Sequence, residues 1–240
     1  MSLLSVEQLD ARHGLLQAVR GVTFVVAPGE TLALVGANGA GKTTLLRTIA
    51  GAHKQAAGRI VFDGTNVTAA PAYARLRAGI ALVPEGRKLF AGMTVKENLL
   101  VAGAYGRPGP WTLDTVVEAF PLLKGKINSY ASNLSGGEQQ ATSIGRALMT
   151  NPRLLLLDEV SLGLAPIAVE AVYRSLDALI KAGTTIVLVE QDIGRALRVS
   201  ARVACMLEGR IVLEGQAKDV TRAQVTEAYF GLRGAQRATS

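Results

Sequence analysis

Short β-branched and apolar runs punctuate the first third of the chain. Val22 to Ala27 and Thr31 to Val35 read as strands, separated by the turn Pro28-Gly29-Glu30. Arg59 to Phe62 is a further short strand, closed by Asp63-Gly64. Between them the pattern turns helical. A helix is predicted from a glycine loop around Gly41, through Leu45, Leu46 and Ile49, to near Gly51. Ile80 to Val83 is a strand stopped by Pro84.

Residues 86 to about 135 change character. They contain the break Gly106-Arg107-Pro108-Gly109-Pro110 and short amphipathic segments, Val95 to Ala102 and Leu113 to Phe120, which read as a mostly helical insert. From Gly137 the pattern is regular again. A helix to about Met149 precedes the strand Arg153 to Leu157. A helix over Ile167 to Lys181 precedes the strand Thr185 to Val189, and a helix over Ile193 to Ser200 precedes the strand Val203 to Leu207. Strands alternating with helices of these lengths predict an α/β fold with a largely parallel sheet and crossover helices. A final hairpin turns at Glu208-Gly209. Gly234 to Ser240 read as a frayed tail.

Composition narrows the class. Of the 240 residues 49% are apolar and 19% charged, which supplies a continuous core and excludes extensive disorder. The net charge of +7 contains no dense Lys/Arg run, so it reads as a basic solvated surface and not as a nucleic-acid site. The single cysteine, Cys205, lies in an apolar stretch and predicts a core residue, with no disulfide and no Cys/His metal site. The N-terminus lacks the pattern of a signal peptide, and no apolar run approaches the roughly 20 residues that span a bilayer. The expectation is a cytoplasmic protein that reaches any membrane through partners.

Gly36-Ala37-Asn38-Gly39-Ala40-Gly41-Lys42-Thr43 fits the P-loop pattern G-x-x-x-x-G-K-[ST] between a strand and a helix. Glycines let successive amides point at a phosphate, and the helix N-terminus adds positive potential. Lys42 is placed to reach the β- and γ-phosphates, and Thr43 to hold a magnesium ion through its hydroxyl. Thr44, the next residue, belongs to the same nucleotide-binding set. The pattern alone does not choose among kinases, GTPases and ATPases. A second element is the apolar strand Leu154 to Leu157, which ends in Asp158 and Glu159. Ligands gather at the carboxyl ends of parallel strands. Asp158 is placed to bind the magnesium ion, and Glu159 to polarise an attacking water.

The segment Leu134-Ser135-Gly136-Gly137-Glu138-Gln139-Gln140 resembles the signature motif of ATP-binding cassette (ABC) ATPases, and it stands 23 residues before Asp158 as that family requires. Physically it is also a capped helix start, with Ser135 as N-cap and Glu138 three residues on. The likeness spans nearly the whole chain. Val83-Pro84-Glu85-Gly86-Arg87, Met93 to Leu99, Ser161 to Pro166 and Val189-Glu190-Gln191 resemble the ATP-binding subunits of importers for branched-chain amino acids, or for related amides and urea. The resemblance implies a single ABC domain over 1–240. Its mostly parallel P-loop core covers 1–85 and 136–233 and carries an N-terminal antiparallel β subdomain; the helical subdomain covers about 86–135. The resemblance also implies ATP and Mg²⁺ as cofactors and a head-to-tail pair of ATP-binding subunits. Leu134, Ser135, Gly136, Gly137 and Glu138 would then close over the ATP of the opposite subunit. Transmembrane permease subunits would be direct partners and a periplasmic binding protein an indirect one, with no nucleic acid. A soluble cassette of translation or DNA repair is the alternative, disfavoured by a single motif set and only 49 residues between Glu85 and Ser135.

Four positions depart from the general ABC pattern. Glu85 stands where most members carry glutamine, and still faces magnesium or the attacking water. Gln191 stands where histidine is usual; it donates a hydrogen bond but carries no proton. Ala165 stands for the usual aspartate. Val160 stands for the expected proline and restores an N–H. His13, 29 residues before Lys42, occupies the place where the family puts an adenine-stacking aromatic, with less stacking area than tyrosine. His53 reads as a solvated surface residue.

Overall fold

The structure is a computed structural model and describes residues 2–230; the predicted tail lies outside them. The chain opens with a long hairpin, β1 (Leu4–His13) and β2 (Leu16–Val26). Sequence periodicity captures only its last part, Val22 onward, and the reason is a fault in the alternation. The buried positions of β1 are Leu4, Val6, Leu9 and Ala11. The inward period therefore slips at Gln8, which takes a left-handed φ of 46°, and the register shifts there. A bulge of this kind hides a strand from a period-2 reading.

Next come β3 (Thr31–Gly36), α1 (Lys42–Ile49), β4 (Gln55–Phe62), β5 (Thr65–Asn66), α2 (Ala72–Ala78) and β6 (Ile80–Val83). The first sheet is antiparallel, ordered β2-β1-β4-β5. The insert holds α3 (Val95–Gly103) and α4 (Leu113–Ala119), each started by a threonine capping box, Thr94 with Glu97 and Thr112 with Thr115. Then follow α5 (Gly136–Leu148), β7 (Leu154–Asp158), α6 (Pro166–Lys181), β8 (Thr185–Val189), α7 (Ile193–Val199), β9 (Arg202–Leu207), β10 (Arg210–Gln216) and α8 (Arg222–Tyr229). The second sheet runs β10-β9-β3-β8-β7-β6 and is parallel except for β10 at its edge. Glu208 and Gly209, at φ 47° and 82°, make the two-residue turn between β9 and β10. Helices α2 and α8, at 7 and 8 residues, are too short to show a helical period in the sequence.

The parallel strands are apolar throughout because both faces are covered. Leu154 and Leu156 of β7 pack toward α1 and the antiparallel sheet, whereas Leu155 and Leu157 pack toward α5 and α6. Val187 and Val189 of β8 divide from Ile186 and Leu188 in the same way. This sandwich fixes the carboxyl ends of β3, β7 and β8 side by side. Arg75 anchors α1 from behind. Its guanidinium is buried and donates to the carbonyls of Thr48 and Ile49 at 2.7 and 2.8 Å, and to those of Thr68 and Ala70. A cation here meets the carbonyl end of the helix.

Candidate functional site

The turn from β3 to α1 demands glycine at two positions. Gly36 sits at φ 151°, and a Cβ there would lie 2.2 Å from the Met206 carbonyl oxygen. Gly41 sits at φ 100°, with a Cβ 2.1 Å from the Ala18 carbonyl oxygen. The loop is thereby wedged between β2 and β9 and delivers the start of α1, which has no side-chain cap, into a cleft of about 390 Å³. Ala40 is buried beneath the loop, and Asn38 and Gly39 rim the cleft. The cleft also brings together His13, Lys42, Thr43, Thr44, Glu85, Glu159 and Gln191.

Lys42 is only 4% exposed. Its Nζ donates to the carbonyls of Gly36 and Ala37 at 2.7 and 2.9 Å and stands 3.9 Å from Glu159 Oε1. Burial draws its pKa below the usual lysine value, with Glu159 and Asp158 opposing. Thr43 Oγ1 donates to Asp158 Oδ1 at 3.0 Å. Asp158 is buried at the end of β7, and its pKa is pushed up to about 6 by burial; the Thr43 hydrogen bond opposes this, and Glu159 and Glu85 add to it. Asp158 thus sits against the Thr43 hydroxyl, with Glu159 and Glu85 near enough to act on it electrostatically, although among the described residues no three acids, histidines or cysteines are grouped to hold a metal by themselves. Such an all-oxygen, acid-rich set suits a hard divalent cation that takes its remaining ligands from phosphate and water.

Glu159 sits at φ 50°, with its amide bonded to the Val189 carbonyl at 3.1 Å. Its Oε2 accepts from Gln191 Nε2 at 2.6 Å. One carboxyl group is thus flanked by a cation and by an amide donor. Val160 beyond it is buried in the core between the sheet and α6. Ala165 is the N-cap of α6, with Pro166 opening the helix and no side-chain cap.

His13 is exposed, and its Nε2 lies 3.1 Å from Thr44 Oγ1. Its ring packs against His53 with centroids 4.4 Å apart. His53 is half-buried and bonded to the Arg12 carbonyl. Leu16 and Ala18 line the same side of the cleft and gave no sequence signal.

The signature segment lies elsewhere. Ser135 caps α5, with its amide donating to Glu138 Oε2 at 2.7 Å, and the Glu138 carboxyl also meets Lys126. None of Leu134, Ser135, Gly136, Gly137 and Glu138 lines the cleft. Arg87, two residues beyond Glu85, ties that loop to α5: its guanidinium donates to Gln139 at 3.0 Å, and its carbonyl accepts from Ser143 at 2.9 Å. A second set also escaped sequence reading. Glu190, fully buried, bonds Ser161 and Tyr173. Its sequence signal was its place in Val189-Glu190-Gln191, one of the segments that carry the family resemblance, which shows none of its contacts.

A glycine loop between a buried strand and a helix, facing an acid pair at the end of a parallel strand one removed in the sheet, defines a P-loop nucleotide site. The antiparallel sheet and the capped α5 place it among the ATP-binding cassettes. The family model described as ABC transporter matches residues 19–161. The chain belongs to the ABC transporter family, and it is an ATP-hydrolysing subunit of a transporter. It is 41% identical over 232 residues to the high-affinity branched-chain amino acid transport ATP-binding protein BraG of Pseudomonas aeruginosa, covering 95% of this chain and all of that one. It is 33% identical to the probable branched-chain amino acid transport ATP-binding protein LivF of Archaeoglobus fulgidus, covering 91% and 94%. It is also 37% identical to the Nod factor export ATP-binding protein I of Rhizobium meliloti, covering 95% and 70%. A solved nucleotide-free ATP-binding cassette from an ABC transporter superposes with a TM-score of 0.81 at 29% identity, covering 95% of this chain and 99% of that one.

Proposed function

We propose that this chain is the ATPase motor of an importer for branched-chain amino acids. The observation that carries the motor is the Glu159 carboxyl group flanked by Lys42 and Gln191. Glu159 orients or deprotonates the attacking water. Lys42, the loop Gly36 to Gly41, Thr43 and Thr44 bind the phosphates, and His13 stacks on the base. Thr43, Asp158 and Glu85 are the residues that would hold Mg²⁺, which when bound neutralises phosphate charge. Gln191 senses the γ-phosphate as a hydrogen-bond donor and carries no proton.

The separation of Leu134 to Glu138 from the cleft supports their acting on ATP held by a second ATP-binding subunit. Two such subunits would close on two nucleotides and reopen after hydrolysis, the coupling being a difference in binding energy between the two states. Among the described residues no helix is long and apolar enough to cross a membrane, which supports attachment to the inner face of the cell membrane through permease subunits. A groove lined by Leu82, Phe90, Ala102, Tyr105 and Arg146 would receive a permease helix. A periplasmic binding protein would deliver the cargo. Likeness to BraG and LivF supports branched-chain amino acids as that cargo.

Capture from solubilised membranes tests the assembly. Permease subunits and a second cassette are expected, and vesicles holding that complex with its binding protein should take up leucine on ATP addition. ATP-driven movement in the opposite direction would overturn the import reading.

A further inference from the structure

Glu190 is 2% exposed and follows the last residue of β8. Its Oε1 accepts from Ser161 Oγ at 2.8 Å and from the Tyr173 hydroxyl. Its Oε2 lies 4.0 Å from Arg195 Nη1, and the same nitrogen donates to Ser161 Oγ at 3.1 Å. The Arg195 guanidinium also stands over the Tyr173 ring, 5.1 Å from its centroid. Four elements therefore meet at one buried carboxyl group: the loop after β7, α6, the end of β8 and α7. Burial and the neighbouring Glu190 raise the Tyr173 pKa, which keeps the phenol a donor.

The cluster is placed around the reacting pair. Ser161 is two residues beyond Glu159, and Glu190 immediately precedes Gln191. The Glu159 backbone is left-handed, and its amide bonds Val189, the residue before Glu190. A non-glycine residue persists in that conformation only where its surroundings hold it. An apolar core would stabilise the fold at lower cost than a buried acid, whose burial must be offset by good hydrogen bonds. Ser161 Oγ has both roles filled, one to Glu190 and one to Arg195, which fixes the loop in one orientation.

We propose that Glu190 is a positioning residue for ATP hydrolysis, clamping Ser161 so that the Glu159 side chain and Gln191 stay in register. The clamp acts on turnover and leaves nucleotide binding to the P-loop. This rests on the roles proposed above for Glu159 and Gln191. Displacement of a reacting group by about 1 Å costs on the order of 100-fold in rate, so a slackened clamp should be visible in kcat.

The 240-residue chain with MgATP provides the test. Ser161→Ala and Glu190→Gln should lower kcat about 10- to 100-fold, with KM and the affinity for a fluorescent ATP analogue changed less than about threefold, since P-loop contacts carry binding. Ser161→Thr, which keeps the hydroxyl, should restore kcat. Ser161 is half-buried, so its variants should fold even if Glu190→Gln does not. Wild-type kcat in Ser161→Ala overturns the proposal, as does a loss that Ser161→Thr fails to restore, or an equal rise in KM. Glu159→Gln is measured alongside. If it turns over normally, the catalytic reading of Glu159 fails; if it is inactive while Ser161→Ala is normal, only the clamp fails.

Discussion

Gln191 Nε2 donates to Glu159 Oε2 at 2.6 Å, joining the residue after β7 to the second residue beyond β8. The pair spans two adjacent parallel strands, and β7 and β8 are in register up to Asp158 opposite Val189. The amide does not titrate, so its contribution is orientation and a fixed hydrogen-bond dipole.

Gln191→Ala should leave Glu159 without that donor. The expected kcat falls about 10- to 100-fold, the range for losing one positioned hydrogen bond near developing charge, and ATP affinity changes little. Because neither residue in the pair is a histidine, the kcat profile should show no step near pH 6.5 from this position. Gln191→His should introduce one. Phosphate-release assays across pH check both expectations.

Asp158 makes nucleotide-free stability depend on pH. Its folded pKa of about 6 lies above the ordinary aspartate value of 3.8. Below that ordinary value both states are protonated and the group contributes no difference. Between the two values the folded state keeps a proton that the unfolded state has lost, so stability falls as pH rises through about 6. Asp158→Asn removes the effect. The variant should gain about 2 kcal/mol over the wild type in passing from pH 4 to pH 7, read by denaturant titration without metal or nucleotide. A constant gap across that range would contradict the burial argument.

Arg75→Met tests what holds α1 in place. Four carbonyls would lose their guanidinium partner; those of Thr48 and Thr68 keep Gly51 and Gln55 as donors, and a buried carbonyl left unbonded costs roughly 1–3 kcal/mol before relaxation and water entry. A net loss of about 3 kcal/mol is expected, and a shift of several degrees in Tm should report it. Nucleotide affinity should weaken with it, because the phosphate-binding end of α1 is braced from the other end.

Much of this site was legible because its chemistry is local. Gly36 to Thr43 need a fixed spacing within one loop, and Asp158 with Glu159 end an apolar run that both faces of the sheet demand. The Ser135 capping box is equally local, since its partners are three residues apart. Features built from distant segments left no such trace. Strand β1 was hidden by the slip at Gln8. Arg75 reads as a surface cation of a short helix until α1 is seen ending beside it. Tyr173 reads as one more position of an apolar helical stripe, yet its hydroxyl meets Glu190, 17 residues away.

The most direct test of the motor is single-turnover and steady-state hydrolysis by Glu159→Gln. The substitution keeps the size of the side chain and the contact to Gln191 while removing the acid. The account predicts ATP binding at wild-type affinity, with turnover reduced at least 100-fold, the scale of a lost general base. Hydrolysis at the wild-type rate would contradict it.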